Sequence, residues 1–326
     1  MKISIIVPVF NEERLIVGCL DSVINQDYPK RNYEIIVVND GSTDNTLTAI
    51  KRKQKEAEKK SVKIKIVNLE RNQGRVIARE TGATNSKYNN LLFIDSRCIT
   101  DKNVLKIVKS SNYQPIIGYV SDRRNRSVFD RFNCLIRKIK YSSHFEENFK
   151  PVYITKDNFD EMGKGTGIFF CDKELFLHSQ LKDITKYGSD DTKLLWNIVQ
   201  KKKILIHPDV KVTYLSRTSL KKEIKHTFER GPKFVDYYLH LRKRRFWLFI
   251  FFPIATLILT IILTFFNLTY LLYWLGFLIL ILILSSIWIS ENISDFFVVL
   301  TILPIIGFSF ELGILRGLIL KLLRKY

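Results

Sequence analysis

The chain has 326 residues, 46% of them hydrophobic and 26% charged, a mixture that excludes a disordered or low-complexity polymer. Its 52 Lys and Arg against 32 Asp and Glu give a formal net charge of +20, but the last 81 positions hold only 4 basic and 3 acidic side chains. A basic soluble part therefore precedes an apolar tail. Basic charge alone serves an anionic membrane as well as nucleic acid, and the sequence contains no nucleic-acid-binding motif, so a membrane is the expected partner and nucleic acid is not.

In chain order, residues 2–9 form a short, β-branched apolar run that passes straight into Asn11-Glu12-Glu13; it is too short for a secretion signal and reads as a strand. An amphipathic pattern over residues 13–25 predicts a helix. Residues 34–39 repeat the apolar run, and Asp40-Gly41-Ser42-Thr43-Asp44 supplies a turn and a helix N-cap for the charged segment up to Lys60. Residues 62–69, 75–83 and 90–94 continue the alternation, which predicts a parallel α/β sheet. Ligands of such sheets sit at the carboxyl ends of the strands, where this sequence places Asn11 and Glu12, Asn39 and Asp40, and Asp95. One such acid reads as a turn or cap residue. Three at successive strand ends predict one cleft, suited to a nucleotide's ribose and base or to a cation. Cys19, Cys98, Cys134 and Cys171 follow no metal-ligand or disulfide spacing and read as reduced cytosolic thiols.

Residues 246–290 are 45 consecutive positions without a charge. A continuous helix of that length would measure ~67 Å, more than twice the ~30 Å of a bilayer's hydrocarbon, so the run folds back once near Asn267 into spans of about 246–266 and 270–290. Arg242, Lys243, Arg244 and Arg245 precede it, which places the soluble domain in the cytoplasm, on an integral protein of the plasma membrane. A third apolar stretch, about 296–320, contains Pro304, Glu311 and Arg316. If it spanned, Lys321, Arg324 and Lys325 would land outside, so the charge rule favours a re-entrant or interfacial helix over a third span. Between domain and membrane, residues 216–245 are basic. Leu220, Ile224, Phe228, Phe234, Tyr237, Tyr238 and Leu241 stand near helical spacing, interrupted by Gly231-Pro232, which predicts two amphipathic helices on the bilayer surface.

Pro8-Val9-Phe10-Asn11-Glu12, Val38-Asn39-Asp40-Gly41-Ser42-Thr43-Asp44 and Asn72-Gln73-Gly74-Arg75, with Ala78-Arg79 and Gly82 after it, closely resemble the signatures of glycosyltransferase family 2. Phe93-Ile94-Asp95 stands where that family places its DXD motif. The resemblance covers residues 1–215 and implies a GT-A fold, an α/β architecture with a Rossmann-like, mostly parallel central sheet, followed here by a C-terminal all-α membrane region. Gly165-Thr166-Gly167-Ile168-Phe169-Phe170 looks like the family's glycine-containing strand beside sugar and acceptor, where backbone approaches a ligand closely; a β-bulge is the alternative. Gly188-Ser189-Asp190-Asp191-Thr192-Lys193-Leu194 resembles the family's ED motif, which makes Asp191 the catalytic base and Asp190 its acidic neighbour; helix capping is the plainer reading of either acid. By the same resemblance, Phe10, Asn11, Glu12 and Asp40 hold the nucleoside, Pro8, Gly74 and Arg75 belong to the donor side, and Asp95 meets ribose or diphosphate. Gly165, Thr166, Gly167 and Asp190 shape the acceptor side. Phe228-Glu229-Arg230-Gly231-Pro232 looks like the Arg-Gly segment of membrane-bound members that build exopolysaccharides, so Arg230 is expected on the acceptor side or on anionic lipid.

The departure from the family is Asp95-Ser96-Arg97 in place of Asp-X-Asp. A guanidinium cannot ligate the Mg²⁺ or Mn²⁺ that the last Asp usually holds. Arg97 either supplies fixed positive charge to the pyrophosphate, or turns aside in a salt bridge while Asp95 holds the metal, or marks lost activity. No Gln-X-X-Arg-Trp of the processive synthases is present. The resemblance therefore implies an inverting, non-processive transfer of one sugar from a nucleotide-sugar donor to a polyprenyl-linked acceptor on the cytoplasmic face. A polyprenyl-phosphate sugar synthase and an inactive sugar-nucleotide-binding scaffold are the alternatives.

Overall fold

A computed structural model describes residues 1–122, 127–140, 149–181, 185, 187–215, 219–239 and 247–323. The chain divides into two compact units, one of Met1–Arg123, Lys140–Asp183 and Asp190–Ser216, the other of Arg124–Ile139, Ile184–Ser189 and Arg217–Tyr326. Two segments before residue 215 also join the second unit.

In the first unit the strands are β1 (Ile3–Val9), β2 (Tyr33–Asp40), β3 (Ile64–Leu69), β4 (Asn90–Ile94), β5 (Cys98–Thr100), β6 (Ile116–Asp122), β7 (Val152–Ile154), β8 (Ile168–Asp172) and β9 (Ile204–Tyr214), joined in the order β3-β2-β1-β4-β8-β6-β9-β5 with β7 beside β9. Its helices are α1 (Leu15–Ile24), α2 (Thr46–Lys59), α3 (Arg75–Thr84), α4 (Val104–Ser110), α6 (Lys173–Leu177) and α7 (Asp190–Lys201); α5 (Val128–Lys140) runs mostly in the second unit. β1, β2 and β4 are buried on both faces, hence their unbroken Ile, Leu and Val runs. α1 covers them with Ile16, Cys19, Leu20, Val23 and Ile24, one stripe at helical spacing. The expected parallel alternation holds for β3, β2, β1 and β4. Beyond β4 the sheet is mixed, because β8 runs antiparallel to both β4 and β6. That reversal pairs Ile168, the first residue of β8, with Ile94, the last of β4, so the start of β8 lies at the edge where β1, β2 and β4 end. None of the four cysteines is in a disulfide and all are buried, as a reduced-thiol reading requires; burial pushes the Cys19, Cys98 and Cys171 thiols up.

The second unit is helical: α5, α8 (Leu220–Tyr238), α9 (Leu248–Phe266), α10 (Leu268–Ile289) and α11 (Ile293–Leu322). The two helices predicted around Gly231-Pro232 are one, since α8 continues through Pro232. Proline leaves the carbonyl four residues earlier, that of Phe228, without its helical donor. At that point α11 crosses backbone to backbone: a Cβ on Gly313 would overlap the Phe228 carbonyl oxygen, and one on Gly231 would overlap the Gly313 carbonyl carbon. Packing against a neighbouring helix therefore offsets the break that the local sequence signals. Asn267 is the hinge expected between the first two apolar helices, ending α9 and capping α10 by accepting the Thr269 N–H at 2.8 Å. α11 is one unbroken helix through Pro304. α10 and α11 are long and apolar enough to cross a membrane by length and composition. The segment Arg242–Arg245 invoked for orientation, with Leu241, Arg324 and Lys325, lies outside the described residues.

α11 packs against both chain ends of the apolar hairpin. Trp247, Ile250 and Ile254 at the start of α9 pack with Ile314, Phe310 and Leu318, and Ile289 at the end of α10 packs with Val299 and Ile302. Phe132 and Leu135 of α5 join the latter cluster, while Arg131 pairs with Asp295 and, at 2.8 Å, with Glu291. These contacts join α5 to the helical unit. Gly231→Ala is expected to destabilise this unit by about 1–3 kcal/mol through overpacking, seen as an earlier denaturant midpoint in detergent. Gly276→Ala, whose Cβ meets nothing within 4 Å, should leave the midpoint in place.

Candidate active site

Two loops at the carboxyl edge of the first unit's sheet are laced together. The Asn11 N–H donates to Ser42 Oγ at 3.0 Å, Asn11 Oδ1 accepts the Thr43 N–H at 2.8 Å, and the Glu12 N–H donates to Thr46 Oγ1 at 2.9 Å. Gly41 is obligatory between them, with φ +66° and the Arg71 backbone where a Cβ would stand. Phe10 is left 41% exposed at the end of β1, and Pro8 precedes it half-buried in the strand. Asp40 is buried, and its two carboxylate oxygens accept the N–H groups of Gln73 and Gly74 at 2.7 and 2.9 Å. It thereby fixes the turn that delivers Arg75 to the first position of α3.

Asp95 follows β4 and is tied to the acceptor-side glycines by its own N–H, which donates to the Gly167 carbonyl at 2.9 Å. The β4–β8 register is regular over Asn90–Ile94, and the one bulge of this part of the sheet falls at Gly118/Tyr119, so Gly165 to Gly167 are a loop entering β8 rather than a bulge within it. Arg97 turns aside. Its Nε and Nη2 both lie 2.7 Å from Glu12 Oε1, which is the salt-bridged arrangement among the three readings of that residue.

Asp190 and Asp191 open α7 and meet two arginines of α3. Arg75 Nη2 is 2.8 Å from Asp190 Oδ2 and Nη1 is 3.4 Å from Asp191 Oδ2; Arg79 Nη1 donates to Asp191 Oδ1 at 2.5 Å, and Thr166 Oγ1 donates to the same oxygen at 2.7 Å. Burial would raise the Asp191 pKa, but Arg75 and Arg79, with the Arg79 and Thr166 hydrogen bonds, outweigh it and hold the carboxyl well below the usual carboxylate range. Arg75 in turn is held charged, chiefly by Asp191, then by Asp190 and Asp95. The structure thus brings Asp191, Asp190, Thr166, Gly167, Asp95, Arg75 and Gly74 into one chain of contacts at this edge. Arg230 lies exposed on α8, in the second unit.

Arg79 carries a role the motif reading left unassigned. Its side chain is 5% exposed, on the face of α3 that also buries Ala78, Gly82 and Ala83. An arginine within a stripe of small residues signals a carboxylate partner elsewhere in the chain, and that signal was present in the sequence.

Among the described residues no group of three or more His, Cys, Asp and Glu side chains is placed to hold a metal ion. Asp95 fits a narrower part. Its Oδ1 accepts one N–H, from Arg97 at 3.2 Å, and a carboxylate has about four lone-pair sites, so it suits the single protein ligand of a cation bound mainly through phosphate oxygens.

Because the Asp191 pKa is depressed, its ion pairs stabilise the fold fully above the unfolded carboxyl value of about 3.9, and that stability is lost as pH falls toward the folded value. Arg79→Gln should therefore cost on the order of 3 kcal/mol near neutrality, with variant and parent converging on acidification. Urea midpoints compared at neutral and acid pH check this.

The sequence profile described as glycosyl transferase family 2 matches residues 4–176. A dolichyl N-acetyl-α-D-glucosaminyl phosphate 3-β-D-2,3-diacetamido-2,3-dideoxy-β-D-glucuronosyltransferase from Methanococcus voltae is 30% identical over 276 residues, covering 81% of this chain and 83% of its own. Among solved structures, a mannosyltransferase from Pyrobaculum calidifontis in complex with GDP-Man and Mn²⁺ is similar over 97% of this chain and 87% of its own, with a TM-score of 0.65 at 16% identity. Staphylococcus aureus TarS in complex with UDP-GlcNAc is similar over 72% and 67%, with a TM-score of 0.53 at 18% identity. The structural likenesses establish the GT-A fold, and the sequence matches establish the enzyme class: the chain belongs to glycosyl transferase family 2.

Proposed function

We propose that this glycosyltransferase performs an inverting, non-processive transfer of one sugar from a nucleotide-sugar donor to a lipid-linked acceptor at the cytoplasmic face of a membrane. The observation that carries the reading is Asp191, a carboxylate held ionised by Arg79 and Thr166 beside the loop that reaches Asp95. Asp191 takes the proton of an acceptor hydroxyl as its oxygen bonds to the anomeric carbon. The bond from that carbon to the nucleoside diphosphate breaks on the opposite face, and its electron pair leaves on the diphosphate oxygen. Phe10, exposed at the strand end, offers an apolar face to the base. Asp95 would hold Mg²⁺ or Mn²⁺, which supplies positive charge to the leaving diphosphate. Arg97, already paired with Glu12, is not the replacement for that charge.

The lipid-linked acceptor is supported by the name of the methanococcal relative, which states a dolichyl-linked sugar phosphate, and by the second unit. α9, 19 residues and ~28 Å long, and α10 form a hairpin whose outer faces expose Phe252, Ile261, Phe266, Tyr273 and Leu280, and these two helices cross the membrane. α11 packs on the hairpin at the start of α9 and the end of α10 and lies along α8, which carries exposed Lys221, Lys222, Lys225 and Arg230. A helix so charged suits the interface and not the hydrocarbon, so α8 lies in the membrane plane. Between α8 and α11 runs an apolar groove of about 700 Å³ that includes Ile224, Phe228, Ile305 and Phe308, with Lys221 and Lys225 along one wall, a place for a lipid tail and its phosphate.

Purified protein in nanodiscs should turn over one donor from a panel of UDP-, GDP- and dTDP-sugars with a polyprenyl-linked sugar acceptor, and EDTA should stop it. Turnover that survives EDTA would remove the metal from the reading. Asp191→Asn should lower kcat by about 10²–10⁴-fold with donor binding retained. A polyprenyl phosphate needs no base, so a variant that still glycosylates it at the parental rate would shift the assignment to a polyprenyl-phosphate sugar synthase.

A further inference from the structure

Arg75 stands between two groups of acids. Its guanidinium meets Asp190 and Asp191 directly, and Asp95, on the donor side, also acts on its charge. Its side chain is 44% exposed and its contact with Asp191 is loose at 3.4 Å, whereas Arg79, 5% exposed, grips the other Asp191 oxygen from the buried side at 2.5 Å. Asp191 therefore keeps a cation when Arg75 moves. Nor does Arg75 hold Asp190 as a two-nitrogen fork, since the single nitrogen Nη2 lies near both carboxylate oxygens, at 2.9 and 2.8 Å. A diphosphate offers such a fork and more negative charge, and a guanidinium that is partly open to solvent can turn toward it.

We propose that Arg75 is a donor-operated latch: it pairs with Asp190 and Asp191 while no donor is present and passes to the diphosphate oxygens when a nucleoside diphosphate sugar binds, so that Asp191 becomes a competent base only once the donor is in place. The inference rests on the reading of Asp191 as base and of the donor as a nucleotide sugar. Removing one of two cations beside Asp191 strengthens it as a proton acceptor at the step that needs one. The same exchange brings positive charge to the leaving group, which Arg97, held by Glu12, does not supply.

The latch makes a prediction that a structural role for Asp190 does not. If the donor must first break the Arg75–Asp190 pair, weakening that pair tightens nucleotide binding. Calorimetric titration of the full chain in nanodiscs with UDP and with GDP, in the presence of Mg²⁺, should show Asp190→Asn binding one of them several-fold more tightly than the parent and Arg75→Ala binding it about tenfold more weakly. In the Arg75→Ala background, Asp190→Asn should bring no further tightening. Equal tightening with and without Arg75 would reduce the effect to the loss of a negative charge and overturn the latch. So would unchanged or weaker binding by a folded Asp190→Asn protein, with Asp190→Ser used if the amide does not fold. If the parent binds neither nucleotide, the donor reading itself fails, an outcome distinct from both.

Discussion

The site depends on one reversal of direction in the sheet. Were β8 parallel to β4, its first residues would lie at the far edge, and Thr166 would be a strand length from the acids of α7. Antiparallel pairing of Ile94 with Ile168 instead places the start of one strand against the end of the other. Asp95 and Gly167 are thereby joined by a backbone hydrogen bond, and Thr166 can reach Asp191. A parallel half that presents its loops at one edge thus gains a wall from a strand that begins at that edge.

Electrostatics then decides what that wall can do. Two arginines on one helix face two carboxylates at the start of another, so opposite charges neutralise one another where Arg79 and Asp190 are withdrawn from water. Neutrality lets the fold keep a carboxylate in a place where burial alone would protonate it. The two ion pairs differ in kind. The inner one is short and enclosed and belongs to the fold, while the outer one is solvent-facing and open to an anion.

How much of this was legible in the sequence follows from where each interaction sits along the chain. The strands of the parallel half, Asp40, Asp95 and the pair Asp190-Asp191 stood in ordered motifs, because local runs and turns encode them. The mixed half of the sheet was not legible, since β6, β8 and β9 are short or interrupted and their direction is set by pairings far apart in sequence. For the same reason the partner of Arg97 was hidden: Glu12 lies 85 residues earlier. Gly231-Pro232 was misread for the opposite reason. The local signal for a break is real, and it is overridden by a helix about eighty residues further on that no window of local sequence contains.

That crossing has an evolutionary consequence. Positions 231 and 313 have room for no side chain, and position 232 decides whether the Phe228 carbonyl has a partner in its own helix. The three are one unit of variation. A lineage that enlarges 231 must open 313 or separate the helices, and one that replaces Pro232 regains an N–H aimed at a carbonyl that Gly313 already crowds. In an alignment of relatives the triplet should change together or not at all, which would mark the α8–α11 crossing even where the surrounding apolar sequence has drifted beyond recognition.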